Sequence, residues 1–403
     1  MPSFSRKQLM LGLALAGCVD LGQAAGFALV EQSASGLGNA FAGQAASAQD
    51  ASTIFFNPAG MTLLPDRQVV VAGHLIKPQF KFSGTSPLSG GNGGDAGDYA
   101  FVPNTYLAYR LTPDVHLGLG VNAPFGLKTE YDNTWKGRTQ AIKSEVKTIN
   151  LNPSIAWKAS ETLSLGAGLN IQYAEATLSS ATSAAIPPPV GTIKGDDYGW
   201  GFNLGALWQL SDATRVGLAY RSEIDYTLEG TFKVNGVTMV APIHARLTLP
   251  DSASLSLFHK LNPQWDLLAD VTWTGWSDFK ELRILRNNGS TLSVTDENWE
   301  DVYRYSLGAN YHLNERVTLR VGVAYDQAPV SDAYRTARIP DGDRTWIAFG
   351  GQYRLSDRSA LDFGYTHLFI RDTPINKTEN GVKLSGTYEG AVDILSAQIT
   401  YNF

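Results

Sequence analysis

Cysteine is nearly absent from this chain. Cys18 alone occurs in 403 residues, so no intrachain disulfide braces the fold. Long apolar runs are missing too: no internal stretch approaches the eighteen or so residues that a membrane-crossing helix needs. Charge is sparse at 17% of residues, and a formal balance of −6 offers no polybasic face, which argues against nucleic acid as a partner. The histidines (His74, His116, His244, His259, His312 and His367) are scattered and none sits in a nucleophile motif. With no metal-ligand spacing and no phosphate loop, the chain reads as neither an enzyme nor a carrier of a metal or cofactor. None of these absences excludes a membrane barrel, because its alternating strands average out in any hydropathy window.

What is present begins with an export signal. Arg6 and Lys7 form a basic region, Leu9 to Val19 an apolar core, and Gly22-Gln23-Ala24 a small-residue cleavage site. Residues 1–24 are therefore expected to be removed, leaving Ala25 first and no cysteine. Leu15-Ala16-Gly17-Cys18 also matches a lipoprotein lipobox, so lipidation of Cys18 stays open as the alternative.

At the other end Leu395, Ala397, Ile399, Tyr401 and Phe403 share one face of a strand, and Ser396, Gln398, Thr400 and Asn402 share the other. A strand greasy outside, polar inside and ending on Phe fits a bacterial outer-membrane barrel. The same alternation sets Tyr303, Tyr305, Leu307 and Tyr311 against Arg304, Ser306 and Asn310, and Leu319, Val321 and Val323 against Arg320 and Gly322. The charged sets belong inside, since Lys or Arg on the lipid face at mid-bilayer costs about 2–4 kcal/mol. Short polar turns with Asn, Asp, Ser or Pro chemistry lie at 111–115, 158–162, 210–214, 261–265, 313–317 and 355–359. Longer Gly- and Pro-rich stretches alternate with them at 84–98, 127–139, 182–195, 229–240, 286–297, 327–343 and 372–386. Six short turns joining seven hairpins give about fourteen antiparallel transmembrane strands over 67–403, with the long loops outside the cell.

Fourteen strands leave an open lumen that their own side chains do not fill. Residues 25–66 do not alternate and are small and apolar, with Phe41, Ile54, Phe55, Phe56, Met61 and Leu63 among them. A free tail of that composition would expose much apolar surface. A plug of short helices inside the barrel is the better expectation. One strand should also break: in Asn122-Ala123-Pro124-Phe125-Gly126, proline removes a ladder hydrogen bond and glycine marks a bend.

Several of these segments resemble the FadL-type long-chain fatty acid transporters, a family that includes importers of aromatic hydrocarbons. The resemblance is carried by Ala25-Gly26-Phe27-Ala28-Leu29, by Ser35-Gly36-Leu37-Gly38-Asn39-Ala40-Phe41-Ala42-Gly43 and by Asn57-Pro58-Ala59-Gly60-Met61. It continues through Val102-Pro103-Asn104, Pro124-Phe125-Gly126-Leu127, Tyr220-Arg221-Ser222-Glu223 and the last strand. It implies a fourteen-stranded barrel with an N-terminal hatch, in the bacterial outer membrane. It further implies capture at the outer loops, a pocket near the hatch N-terminus lined by Phe27, and passive sideways exit where strand 3 kinks inward at Ala123, Pro124, Phe125 and Gly126. Asn57, Pro58 and Ala59 are expected to form a hatch turn near that gap.

On this reading a monomer imports long-chain fatty acids or similar hydrophobic molecules into the outer-membrane lipid. Neutral aromatic hydrocarbons are the alternative cargo; a general porin and a barrel-embedded hydrolase fit less well. A fatty carboxylate should meet a cation, yet Gly118 to Phe125 carries none. Arg221, Arg304 and Arg320 are inward candidates. Alternation places Glu223 and Asp225 on the face of Arg221, which reads as a structural charge ladder.

Overall fold

A computed structural model describes residues 26–238 and 240–403. The expected leader 1–24, Ala25 and Cys18 lie outside the described residues. Nineteen hydrogen-bonded segments form one antiparallel sheet that closes on itself, because the first strand, β1 (Arg67–Thr85), pairs with the last, β19 (Val382–Asn402). Closure leaves neither the first nor the last strand as a free edge. Nine spans are single strands: β1, β2 (Ala100–Thr112), β5 (Lys143–Lys158), β6 (Leu163–Ala181), β7 (Val190–Ser211), β16 (Val317–Asp326), β17 (Arg344–Ser356), β18 (Ser359–Glu379) and β19.

The other five spans are interrupted. The third consists of β3 (Val115–Asn122) and β4 (Gly126–Glu130), the seventh of β8 (Thr214–Arg221) and β9 (Ile224–Val234), and the eighth of β10 (Val240–Leu249) and β11 (Ser252–Asn262). The ninth joins β12 (Trp265–Thr274) to β13 (Glu281–Arg286), and the tenth β14 (Thr291–Asp296) to β15 (Val302–His312). The chain thus crosses fourteen times. All six short turns fall where their Asn, Asp, Ser and Pro residues placed them. Alternation sorts the two solvents: Leu395, Ile399 and Tyr401 are exposed on the outer face, while Ser396, Gln398 and Thr400 are buried within.

Several outer loops are shorter than the sequence suggests. Residues 372–386, expected as a loop, continue β18 to Glu379 and restart β19 at Val382. Asn380 (φ 50°) and Gly381 (φ 74°) make the two-residue reversal between them, the left-handed pair that a primed hairpin turn requires. Likewise 286–297 is largely the β13–β14 hairpin, turning at Gly289 (φ 81°). Beyond the bilayer the two faces of a strand meet the same solvent, so a polar, glycine-rich sequence can keep its ladder without alternating.

The segment before β1 packs within the ring. It forms α1 (Ala34–Leu37), α2 (Gln44–Ser47), α3 (Thr53–Phe56) and a 3-10 turn (Pro58–Leu63). Its polar atoms bond to strands around the whole circumference. Asn39 Nδ2 donates to Ala309 O on β15 (3.1 Å), Ala45 N to Ser256 Oγ on β11 (3.0 Å), and Asn57 Nδ2 to Ala206 O on β7 (3.0 Å). From the wall, Asn104 on β2 donates to Glu31 O (2.9 Å) and Arg215 on β8 to Ser47 O (2.9 Å). The fit is close enough to need bare backbone: a Cβ at Gly217 or Gly322 would overlap the main chain of Ala45 or Asn39.

Candidate functional site

The broken third span is where wall and N-terminal segment meet. β3 pairs with β2 from Val121 (opposite Thr105) to Val115, while β4 pairs with β5 alone. Ala100–Asn104 of β2 therefore bond on one side, to Ile76–Ala72 of β1. The ladder is open between β2 and the third span over these five residues, about 17 Å of strand. Salt-bridged Lys128 and Asp98 (2.7 Å) span it above.

The backbone groups freed by the break are claimed by two neighbours. Leu29 N donates to Pro124 O (2.7 Å) and Gly126 N to Phe27 O (2.8 Å), so Phe27–Leu29 lies alongside like a short strand, with an Ala28–Phe125 bridge. Gln32 Nε2 donates to Ala123 O (3.0 Å). Thr148 on β5 covers both polar groups of Phe125, its Oγ1 accepting from the N–H (3.0 Å) and donating to the carbonyl (2.7 Å). The carbonyls of Ala123, Pro124 and Phe125 and the amide of Phe125 thus keep partners, which lets the break sit buried.

Above this junction is an aromatic cluster. Phe27 is 2% exposed, with ring centroids 4.7 Å from Trp276, 5.7 Å from Trp299, 6.2 Å from Phe125 and 6.3 Å from Phe279, all edge-on. Trp276 and Phe279 come from the interruption of the ninth span, Trp299 from that of the tenth. Trp299 Nε1 donates to Glu297 Oε2 (3.0 Å), and burial pushes the Glu297 carboxyl up to about 8.

Beneath the cluster lies a cavity of about 150 Å³. Leu29, Val30, Phe55 and Phe56 of the inner segment form one wall, Pro124 and Phe125 of the break adjoin it, and Arg221, Arg304 and Asp326 bring charge to its lining. Arg221 packs 4.2 Å over the Phe55 ring and donates to Phe55 O (2.9 Å) and to Asn170. Arg304 packs 5.2 Å from the Trp346 ring and donates to Ala40 O. Among the described residues neither arginine has a carboxylate within 4.0 Å. One residue past Val30, Glu31 is fully buried with both carboxylate oxygens unpartnered, and burial raises it to about 7.

The reading of Arg221 as a rung in a charge ladder is corrected here. Ser222 and Glu223 belong to no strand, and the two-residue interruption shifts the alternation. Ser222, Ile224 and Tyr226 are buried, whereas Glu223 and Asp225 face out, leaving Arg221 without them. Of the other expected residues, Pro124 and Phe125 line the cavity and Ala123 and Gly126 flank them, whereas Phe27 does not line it but packs on two residues that do, Phe125 and Trp276. Asn57, Pro58 and Ala59 lie elsewhere, against the glycine notches at Gly166 and Gly205 of β6 and β7. Ala28, Leu29, Gln32 and Thr148 were not anticipated; nothing local in the sequence marks them as partners of a break 20 to 100 residues away.

A family model described as outer membrane protein transport protein (OMPP1/FadL/TodX) matches residues 16–403. A long-chain fatty acid transport protein of Escherichia coli O6:H1 is 31% identical over 446 aligned positions, covering 99% of this chain and all of that one. A 47 kDa outer membrane protein of Pasteurella multocida is 32% identical, with 98% of each chain covered. Among solved structures, a Pseudomonas aeruginosa FadL homologue superposes with a TM-score of 0.88 at 27% identity, covering 94% of this chain and 100% of its own. The Pseudomonas putida toluene transporter TodX shares the fold (TM-score 0.69, 18% identity, 88% and 94% covered).

Proposed function

The chain belongs to the OMPP1/FadL/TodX family of outer-membrane transport proteins, and from that premise we propose that it imports long-chain fatty acids by passive diffusion through the cavity under Phe27. The observation that carries the choice of cargo is the pair of arginines, Arg221 and Arg304, that line the cavity with no carboxylate within 4.0 Å of either among the described residues. A cation in a cavity wall with no acid in direct contact can take a ligand carboxylate, since charge-assisted hydrogen bonds are roughly twice as strong as neutral ones. The acyl chain supplies the rest, at about 0.8 kcal/mol per methylene buried.

The path follows from the same geometry. Substrate settles first in the groove among the outer strands, a space of about 510 Å³ with Leu178, Phe232, Leu282 and Ile284 on its walls. It passes the Phe27 cluster into the cavity, then leaves sideways between β2 and the break at Ala123–Gly126 into the outer-membrane lipid. Residues 26–66 act as the hatch that denies water a continuous channel, which argues against a porin. One chain holds the whole path, so a monomer suffices, and no step makes or breaks a covalent bond.

A second reading has its own support. A cavity of about 150 Å³ is the size that accepts one benzene-sized ring, and the TodX relative is named as a toluene transporter. Binding of a fatty acid, its methyl ester and toluene to the purified barrel, each with wild type and Arg221→Gln/Arg304→Gln, separates the two. Fatty acid import requires that the acid bind more tightly than its ester and that the double variant erase the difference. Toluene bound alone would establish the alternative.

A further inference from the structure

The cavity has a second wall that an unsubstituted acyl chain does not use. Ser252 and Ser254 on β11 and Thr272 and Thr274 on β12 all face it. Only Thr272 is engaged, donating to Asp270 Oδ1 (2.7 Å); Ser252, Ser254 and Thr274 have no hydrogen-bond partner among the described residues. Strand pairing sets these hydroxyls in two adjacent rows. Arg221, Ser252, Thr274 and Val302 stand opposite one another across β8, β11, β12 and β15. Ala219, Ser254, Thr272 and Arg304 form the neighbouring row across the same strands. With strands about 4.8 Å apart, the hydroxyls lie about 5 and 10 Å from the strand of either arginine.

The facing wall is Leu29, Val30, Phe55 and Phe56, so the cavity is apolar on one side and hydroxylated on the other. A plain acyl chain lying between them strips water from three hydroxyls and returns no hydrogen bond. A chain that carries its own oxygen part-way along satisfies them while its methylenes keep the apolar wall. We infer that this site selects long-chain carboxylates oxygenated at mid-chain over unsubstituted ones, with Ser252, Ser254 and Thr274 as the specificity-determining residues. The inference rests on the carboxylate reading of Arg221 and Arg304, and the test separates the two.

Binding of octadecanoic acid, the same acid with one mid-chain hydroxyl, and the methyl ester of each would be measured on the purified full barrel. One net hydrogen bond corresponds to about fivefold in affinity, so the hydroxy acid should bind about fivefold tighter or better. The preference should vanish in Ser252→Ala/Ser254→Ala/Thr274→Val and persist in Ser252→Thr/Ser254→Thr/Thr274→Ser, which keeps every hydroxyl. Heat-modifiable gel mobility verifies that both variants assemble. Equal affinities in wild type, or a preference that survives loss of the hydroxyls, overturns the inference. Acids and esters that bind alike, with the hydroxyl preference intact, overturn the carboxylate reading and leave the hydroxyl wall standing. Failure of all four probes overturns both.

Discussion

Deleting Pro124 should close the side of the barrel. In the third span Asn122 faces Asn150 and pairing resumes with Gly126 opposite Lys147. Three residues, 123–125, thus face two, 148 and 149, and the break is a one-residue excess of the kind that defines a bulge. Removing one residue restores a continuous register with β5. Because the excess also reverses which face a residue takes, Leu127 and Thr129 stay inward after the deletion. The straightened span then meets Ala100–Asn104 of β2, now bonded on one side only. Five residues offer about five ladder bonds, less the one that Pro103 cannot donate, or about 4 kcal/mol at about 1 kcal/mol each. The bonds from Leu29 and to Phe27 can re-form whenever the wall opens, returning about 2 kcal/mol. The added barrier is therefore about 2–4 kcal/mol, about thirtyfold to a thousandfold in rate.

The assay is uptake of labelled fatty acid by cells whose own transporter is absent, alongside ligand binding to the purified protein. Uptake should fall by at least the lower figure, while binding stays within a few-fold. An assembled variant that imports within twofold of wild type would refute lateral exit through this gap. Replacing Pro124 with Val and Gly126 with Thr is the informative control. It raises strand propensity but leaves the residue count unchanged, so the excess persists and most uptake should remain.

Other expectations follow from the same contacts. Glu297 is an acid held above its ordinary value, so its contribution to stability is complete below about 4.5 and is lost as pH rises through about 8. With Glu379 adding to the burial effect and Lys377 and Arg338 opposing it, Trp299 should loosen from Phe27 across that window; tryptophan fluorescence should report it, and Glu297→Gln should abolish the transition. Deleting residues 26–66 should raise single-channel conductance in planar bilayers, and unchanged conductance would mean that the segment does not plug the lumen. Replacing Asp362 with Ala leaves Arg320, its partner at 2.5 Å, as an uncompensated buried charge; a loss of about 3–5 kcal/mol should appear in denaturant unfolding. Mass spectrometry should find Ala25 at the mature N-terminus, and an acylated Cys18 would favour the lipobox instead.

What could be read from the sequence follows the solvents. Between lipid and lumen the faces of a strand meet opposite media, so Leu395 and Ser396, or Tyr305 and Arg304, declare their sides in a one-dimensional pattern. The six short turns are legible for a related reason, since their geometry depends on residues that touch in sequence. Above the bilayer that contrast disappears, and the hairpin at Asn380-Gly381 passed for loop although its Asn-Gly pair is the strongest local signal for a reversal. Arg221 faces inward as alternation requires, but alternation carried unbroken through Ser222 and Glu223 puts Glu223 and Asp225 on the wrong face. A change of frame there is fixed by how β9 pairs with β10 and β7, which no window around Arg221 contains.

That difficulty has one physical source. A closed barrel commits its main-chain groups to neighbouring strands, so an opening through the wall requires an interruption of the ladder. Each interruption frees donors and acceptors that must find partners at membrane depth, where water is scarce. Pro124, Phe125, Pro250 and Trp276 of the cavity lining come from such places, and Arg221, Ser252, Thr274 and Val302 are the strand ends beside them. The N-terminal segment supplies what the wall gives up, Leu29 N to Pro124 O and Phe27 O to Gly126 N. It therefore acts as a substitute strand at the break while it packs within the ring. The two roles are mechanically linked. A movement of Phe27–Leu29 away from the break must release the carbonyl of Pro124 and the amide of Gly126, so on the proposed path unloading the site and loosening the exit would be one event.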